Sequence, residues 1–176
     1  MGHFDKSICD CCVCPMQCVL EQLAGQTIDF VTTVSSGTTN LISVDNFIAF
    51  TSIGNIPICQ FTGVAFNPAL IPGGLKLKLI SKNKGECACC EDPITNLLIS
   101  LKGQFVEIEF IKGSVGAIVN DIGEGIIILR APEPTSPILA AISSCSVTKI
   151  TPMNQQQFSQ MSSSSNPNHL LSPPAT

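Results

Sequence analysis

Residues 9–26 read C-D-C-C-V-C-P-M-Q-C-V-L-E-Q-L-A-G-Q, and residues 87–104 read C-A-C-C-E-D-P-I-T-N-L-L-I-S-L-K-G-Q. At a shift of 78 positions, eight of the eighteen residues are identical: Cys9/Cys87, Cys11/Cys89, Cys12/Cys90, Pro15/Pro93, Leu20/Leu98, Leu23/Leu101, Gly25/Gly103 and Gln26/Gln104. Chance would supply roughly one, and no gap is needed. Ile28/Val106 and Asp29/Glu107 continue the pattern. The chain therefore reads as a tandem duplication, each copy opening on Cys-x-Cys-Cys.

Both copies carry the same local signals. Pro15 and Pro93 suit the first turn of a helix, where a missing N–H costs nothing, and Asp92 is a natural cap for the second. Val19, Leu20 and Leu23, like Leu97, Leu98 and Leu101, recur at helical spacing. Gly25 and Gly103 stand where a helix ends in a left-handed residue. Phe105, Glu107 and Glu109 then alternate with Val106, Ile108 and Phe110, as in a strand with two unlike faces. Each unit is thus a cysteine cluster, a short helix, a glycine and a strand.

Working outward, residues 27–34 and 41–51 read as strands around the turn Ser35-Ser36-Gly37, and Ile53-Gly54-Asn55 as a hairpin turn. Residues 56–66 read as one strand holding Cys59. A Pro/Gly break over 67–74 separates the copies, and residues 75–80 alternate Leu75, Leu77 and Leu79 with Lys76 and Lys78 as a connecting strand. In the second copy, strands are expected at 105–112, 115–120, 126–130 and within 138–150. From Pro152 the composition turns to Gln, Ser, Asn and Pro, which is expected to leave a disordered tail. The expected units are 1–74, a connecting strand 75–86, 87–151 and the tail 152–176.

Composition narrows the function. Charged residues are 12% of the chain, against about 25% in ordinary soluble domains. The net charge of −4 and the single arginine, Arg130, argue against a partner held by phosphate contacts. A weakly charged, apolar surface favours self-association. The start M-G-H-F-D-K-S-I has no apolar h-region, so synthesis without a signal peptide is expected, and no run is long enough for a membrane helix. In a cytosol, ten cysteines would normally stay reduced or bind metal.

A helix, then Leu-x-x-Leu-x-Gly-Gln, then about five short strands resembles an Sm-like barrel. The second copy carries this in L-I-S-L-K-G-Q-F-V-E-I-E-F, V-G-A-I-V-N-D-I and G-I-I-I-L; the first in L-E-Q-L-A-G-Q-T-I-D-F and S-V-D-N-F-I-A-F-T. I-P-I-C-Q-F-T-G-V, from Ile56, resembles the last barrel strand, which in Sm rings pairs with the next subunit. The resemblance covers residues 15–66 and 93–150. It implies an all-β fold of two tandem five-stranded Sm-like (SH3-like) barrels, each preceded by a short helix. Small Sm-like proteins with such last strands occur among spore proteins of Bacillus-type bacteria. The clustered cysteines are similar to those of cysteine-rich coat and exosporium proteins, which are made in the mother cell, self-assemble and become disulfide cross-linked. The implied partners are other copies of the chain and further spore-layer proteins.

Cys9, Cys11, Cys12, Cys14, Cys18, Cys87, Cys89 and Cys90 are the candidate cross-linking residues. Adjacent cysteines strain a mutual disulfide, so Cys11/Cys12 and Cys89/Cys90 would reach separate partners. The alternative is a Zn or Cu(I) thiolate site through Cys9, Cys12, Cys87 and Cys90, as part of a metal- or RNA-binding Sm-like module. Cys59 and Cys145, in apolar runs, read as buried packing residues. Ile56, Ile58, Gln60, Thr62 and Val64 read as an edge strand available for assembly. Asn120 and Asp121 resemble the Sm Asp/Asn loop, but the Ala131-Pro132 after Arg130 lacks the basic-Gly pattern and no stacking aromatics accompany it. His3 and His169 belong to no catalytic set, Glu107 and Glu109 read as a solvated face, and Lys76, Lys78, Lys82 and Lys84 as a charged edge, so a non-enzyme is expected.

Overall fold

The computed structural model describes residues 13–80, 86–131, 138–154 and 156–157, with 86–90 described by their main chain alone. Cys9, Cys11, Cys12, both histidines, Lys82, Lys84 and the part of the expected tail beyond residue 157 lie outside it, whereas Pro152 and Met153, where that tail was expected to begin, belong to the last strand.

Helix α1 (Val13–Gln22) buries Val19 and Leu20 of the expected stripe and also Met16 one turn earlier, with the buried Leu23 just past its end. Helix α2 (Glu86–Ser100) begins earlier than the sequence indicated, so Pro93 lies inside it instead of opening it. The missing N–H forgoes one helical bond. Both helices stop alike: Gly25 and Gly103 have φ of 85° and 80°, a conformation that side chains disfavour. Gly25 then donates to the Leu41 carbonyl (2.7 Å) and Leu41 to that of Gln26 (2.9 Å); Gly103 and Val119 repeat this with Gln104 at 2.9 and 3.1 Å.

The strands of the first half are β1 (Thr27–Thr32), β2 (Ser36–Asp45), β3 (Ile48–Thr51), β4 (Gly54–Pro57) and β5 (Phe61–Phe66). Those of the second are β6 (Phe105–Phe110), β7 (Gly113–Gly123), β8 (Ile126–Arg130), β9 (Leu139–Ser143) and β10 (Val147–Met153). The expected single strand over 41–51 is a hairpin turning at Asn46 and Phe47, which have φ of 49° and 60°. The expected strand over 56–66 breaks into β4, a 3-10 turn at Ile58–Gln60, and β5. A matching turn at Ser144–Ser146 separates β9 from β10.

The fold is all-β apart from the helices. All ten strands join one open antiparallel sheet, in the order β10-β6-β7-β8-β9-β5-β1-β2-β3-β4. The same order, fifth-first-second-third-fourth, therefore occurs twice. The register repeats as well: Asp29 faces Thr38 as Glu107 faces Gly116, and Asp45 faces Ile48 as Gly123 faces Ile126. Even the irregularities recur, between Leu41/Ser43 and Val119/Asp121, and between Val31/Thr32 and Val147/Lys149. Where the halves meet, β5 pairs with β9, Val64 facing Ala141.

Residues 75–80 join no ladder, contrary to the expected connecting strand. They form an extended strap held at Lys76 and Lys78. Gln22 exchanges two hydrogen bonds with the Lys76 main chain (2.9 and 2.8 Å), and the Glu124 N–H donates to the Lys78 carbonyl (3.1 Å). Lys78 also pairs with Glu124 at 3.1 Å, while Leu75 and Leu77 pack on the core. One core cluster gathers α1 with Leu41, Phe61, Val64, Ile126 and Ala141; the other gathers Leu98 and Leu101 with β6 to β9, Val31 and Ala65. Each cluster contains side chains from both halves.

Candidate functional site

A sheet that does not close ends in two strands with one unpaired side each, here, among the described residues, β4 and β10. Pro57 has no N–H, and the Ile58 N–H beyond it donates to the Phe47 carbonyl at 2.8 Å. Ile48 and Pro57 are therefore a pair whose own N–H and C=O groups point away from each other. By the two-residue alternation, Asn55 turns both its main-chain groups to the free edge. At the other end of the sheet, the Ile111 N–H donates to the Ser146 carbonyl at 3.0 Å, which places Val147 in the same class. Burial follows pairing. All six residues of β5 are buried, whereas β10, its counterpart in the second half, has none. Four of five are buried in β9, and none in β4.

Of the five residues expected on an edge strand, Ile56 alone lies in one. Ile58 and Gln60 belong to the 3-10 turn, and Thr62 and Val64 lie buried in β5, between β1 and β9. The continuous apolar run over 56–66 hid the turn at Cys59 and the second neighbour of β5. The β10 edge is not marked in the sequence, because the run over 138–150 carries no sharp strand boundary.

The thiols are distributed unevenly. Cys18, on α1, and Cys59, in the turn after β4, are exposed and not disulfide-bonded. Cys14, at the start of α1, and Cys145, in the turn before β10, are disulfide-bonded. Cys59 and Cys145 are thus not the core residues expected: each stands at the middle of a 3-10 turn, exposed to solvent. Their shared position in the two halves is the signal that could have found them. Cys87, Cys89 and Cys90 lie on the first turns of α2. Among the described residues, no three His, Cys, Asp or Glu side chains gather as a metal site, and no helix is long and apolar enough to cross a membrane.

The charged groups are used within the sheet. Lys149 on β10 reaches Glu109 on β6 at 2.6 Å. Its ammonium is held above the usual lysine value of 10.5, first by that hydrogen bond and next by the Glu109 charge. Asp121 is paired with Lys102 at 2.6 Å, Asn120 is the residue skipped by the β7 bulge, and Arg130 ends β8 half-buried. No family model, no curated protein and no solved structure matches the chain.

Proposed function

We propose that this chain is a structural, self-assembling component of a bacterial spore coat or exosporium, built from two Sm-like five-stranded units and made permanent by its cysteines. The observation that carries the reading is the pair of unpaired edges, β4 and β10, at the ends of one continuous sheet. Unpaired strands with few charges are templates for further strands. Exposed thiols beside such a contact, oxidised in pairs to disulfides by an external two-electron oxidant such as dioxygen, turn a reversible association into a covalent one. Cys59 is exposed in the turn that follows one edge strand and Cys18 is exposed on α1, while Cys14 and Cys145 are already oxidised.

The N-terminal and α2 clusters supply the remaining staples in this reading, Cys9, Cys11, Cys12, Cys87, Cys89 and Cys90. The partners are further copies of the chain and other proteins of the same layer, and the role is not enzymatic. The test is a pair of gels on material from the spore surface. Entry as monomer only after strong reduction is expected, and replacing Cys11, Cys12, Cys89 and Cys90 together should weaken the assembly while leaving the sheet folded. Native material that runs as monomer without reductant, or that carries stoichiometric zinc or copper, would contradict it.

A further inference from the structure

The geometry points to a second copy of this chain as the occupant of each free edge, with β4 of one copy paired antiparallel to β10 of the next in the register of the internal β5–β9 junction. The inference rests on the self-assembly reading and gives that contact its partner and its alignment. Because Ile48 faces Pro57 as Ile126 faces Ser143, Asn55 occupies the place of Ala141. Because Phe30 faces Val64 as Ile108 faces Ile150, Ile150 occupies the place of Val64. Val64 faces Ala141 inside the chain, so Asn55 should face Ile150 between chains. The hydrogen bonding agrees, since Asn55 already turns its N–H and C=O outward.

A second observation lies on the helices. Across the internal junction α1 shares a core with β9: Met16 and Val19 cluster with Ala141, and Leu139 packs against that cluster. On α2 the corresponding side has lost its cover. Val19 is 1% exposed but its counterpart Leu97 is 44% exposed, and Met16 at 0% corresponds to the half-buried Ile94. Leu20 and its counterpart Leu98 are both 0% exposed, so the difference is confined to the side where the neighbour is missing. On the other edge, Ile53 stands where Leu139 stands and is 62% exposed. Leu97 and Ile53 are thus two halves of a contact that the chain makes once internally and leaves open once. The edges differ, so the association is head-to-tail and leads to a ring if the rotation closes and a fibre if it does not.

The experiment uses the full chain in strong reductant, which removes the thiols from the result. Ile53→Glu and Leu97→Glu both alter exposed side chains outside the core. Each alone should lower self-association at least tenfold by light scattering. Mixed in equal amounts they should recover a species of twice the 18.6 kDa chain mass, because one intact Ile53 face then meets one intact Leu97 face. Circular dichroism on both variants confirms the fold, and Ile53→Ser with Leu97→Ser serves as a second pair. Wild-type association by either single variant, a mixture that stays monomeric, or a wild-type chain that is monomeric when reduced overturns the inference. That last outcome leaves the cross-linked reading standing if the native layer is disulfide-bound. Conversely, head-to-tail association with no cross-linking in the native layer removes that reading and keeps this one.

Discussion

At the scale of the residue, chemistry is set by which side chains are left accessible. Cys18 and Cys59 are exposed and carry no disulfide, whereas Cys14 and Cys145 are disulfide-bonded. Alkylation of the unreduced, folded protein should therefore label Cys18 and Cys59 and leave Cys14 and Cys145 unmodified until reductant is added, as peptide mass spectrometry would show. Lys149 gives a pH-dependent counterpart. Its folded pKa is raised above 10.5 by Glu109, so its contribution to the β6–β10 pairing is complete below that value and is lost as pH rises through the folded pKa. A titration of the Lys149 side chain by NMR should move toward the ordinary value in Glu109→Gln. An unchanged midpoint would mean that the pair seen at 2.6 Å is not what holds the proton. The value of the pair to overall stability is small, because both partners are solvated.

The elements show what a sequence can and cannot disclose. The helix stripe, the glycine stop and the alternating β6 were legible because each rests on neighbours in the chain: Val19, Leu20 and Leu23, Gly103, and Val106 against Glu107. The hairpin at Asn46-Phe47 was not, since Phe47 takes a positive φ without the glycine that marks the equivalent turn at Gly125. The division of 56–66 was hidden by a run in which both faces of β5 are buried, which erases alternation. Pairing of β5 with β9 joins residues on opposite halves of the chain, Val64 with Ala141, and no local pattern reports it. The strap at 75–80 makes a testable contact. A Cβ on Gly123 would lie 2.8 Å from Leu77 Cβ and 3.1 Å from the Lys78 carbonyl. Gly123→Ala should cost about 1–3 kcal/mol in denaturant unfolding as the strap is displaced. A neutral substitution would show that the strap yields freely. Leu20→Ala, which empties a fully buried site in the last turn of α1, should cost about 2–5 kcal/mol.

For the whole molecule, duplication has a structural consequence beyond doubling the length. Two copies with the same strand order, joined through the last strand of the first and the fourth of the second, satisfy one pair of edges and leave the complementary pair unsatisfied. The repeat was visible in Cys9–Gln26 against Cys87–Gln104, but its reproduction in every ladder and both bulges depends on pairings that span the fold. Association should then precede covalent bonding, with strand pairing giving alignment and thiols giving permanence. The most direct measurement is the mass of the fully reduced wild-type protein by light scattering across micromolar concentrations. The result expected is a mass that rises with concentration well above the 18.6 kDa of one chain; a constant 18.6 kDa would contradict association through the sheet edges.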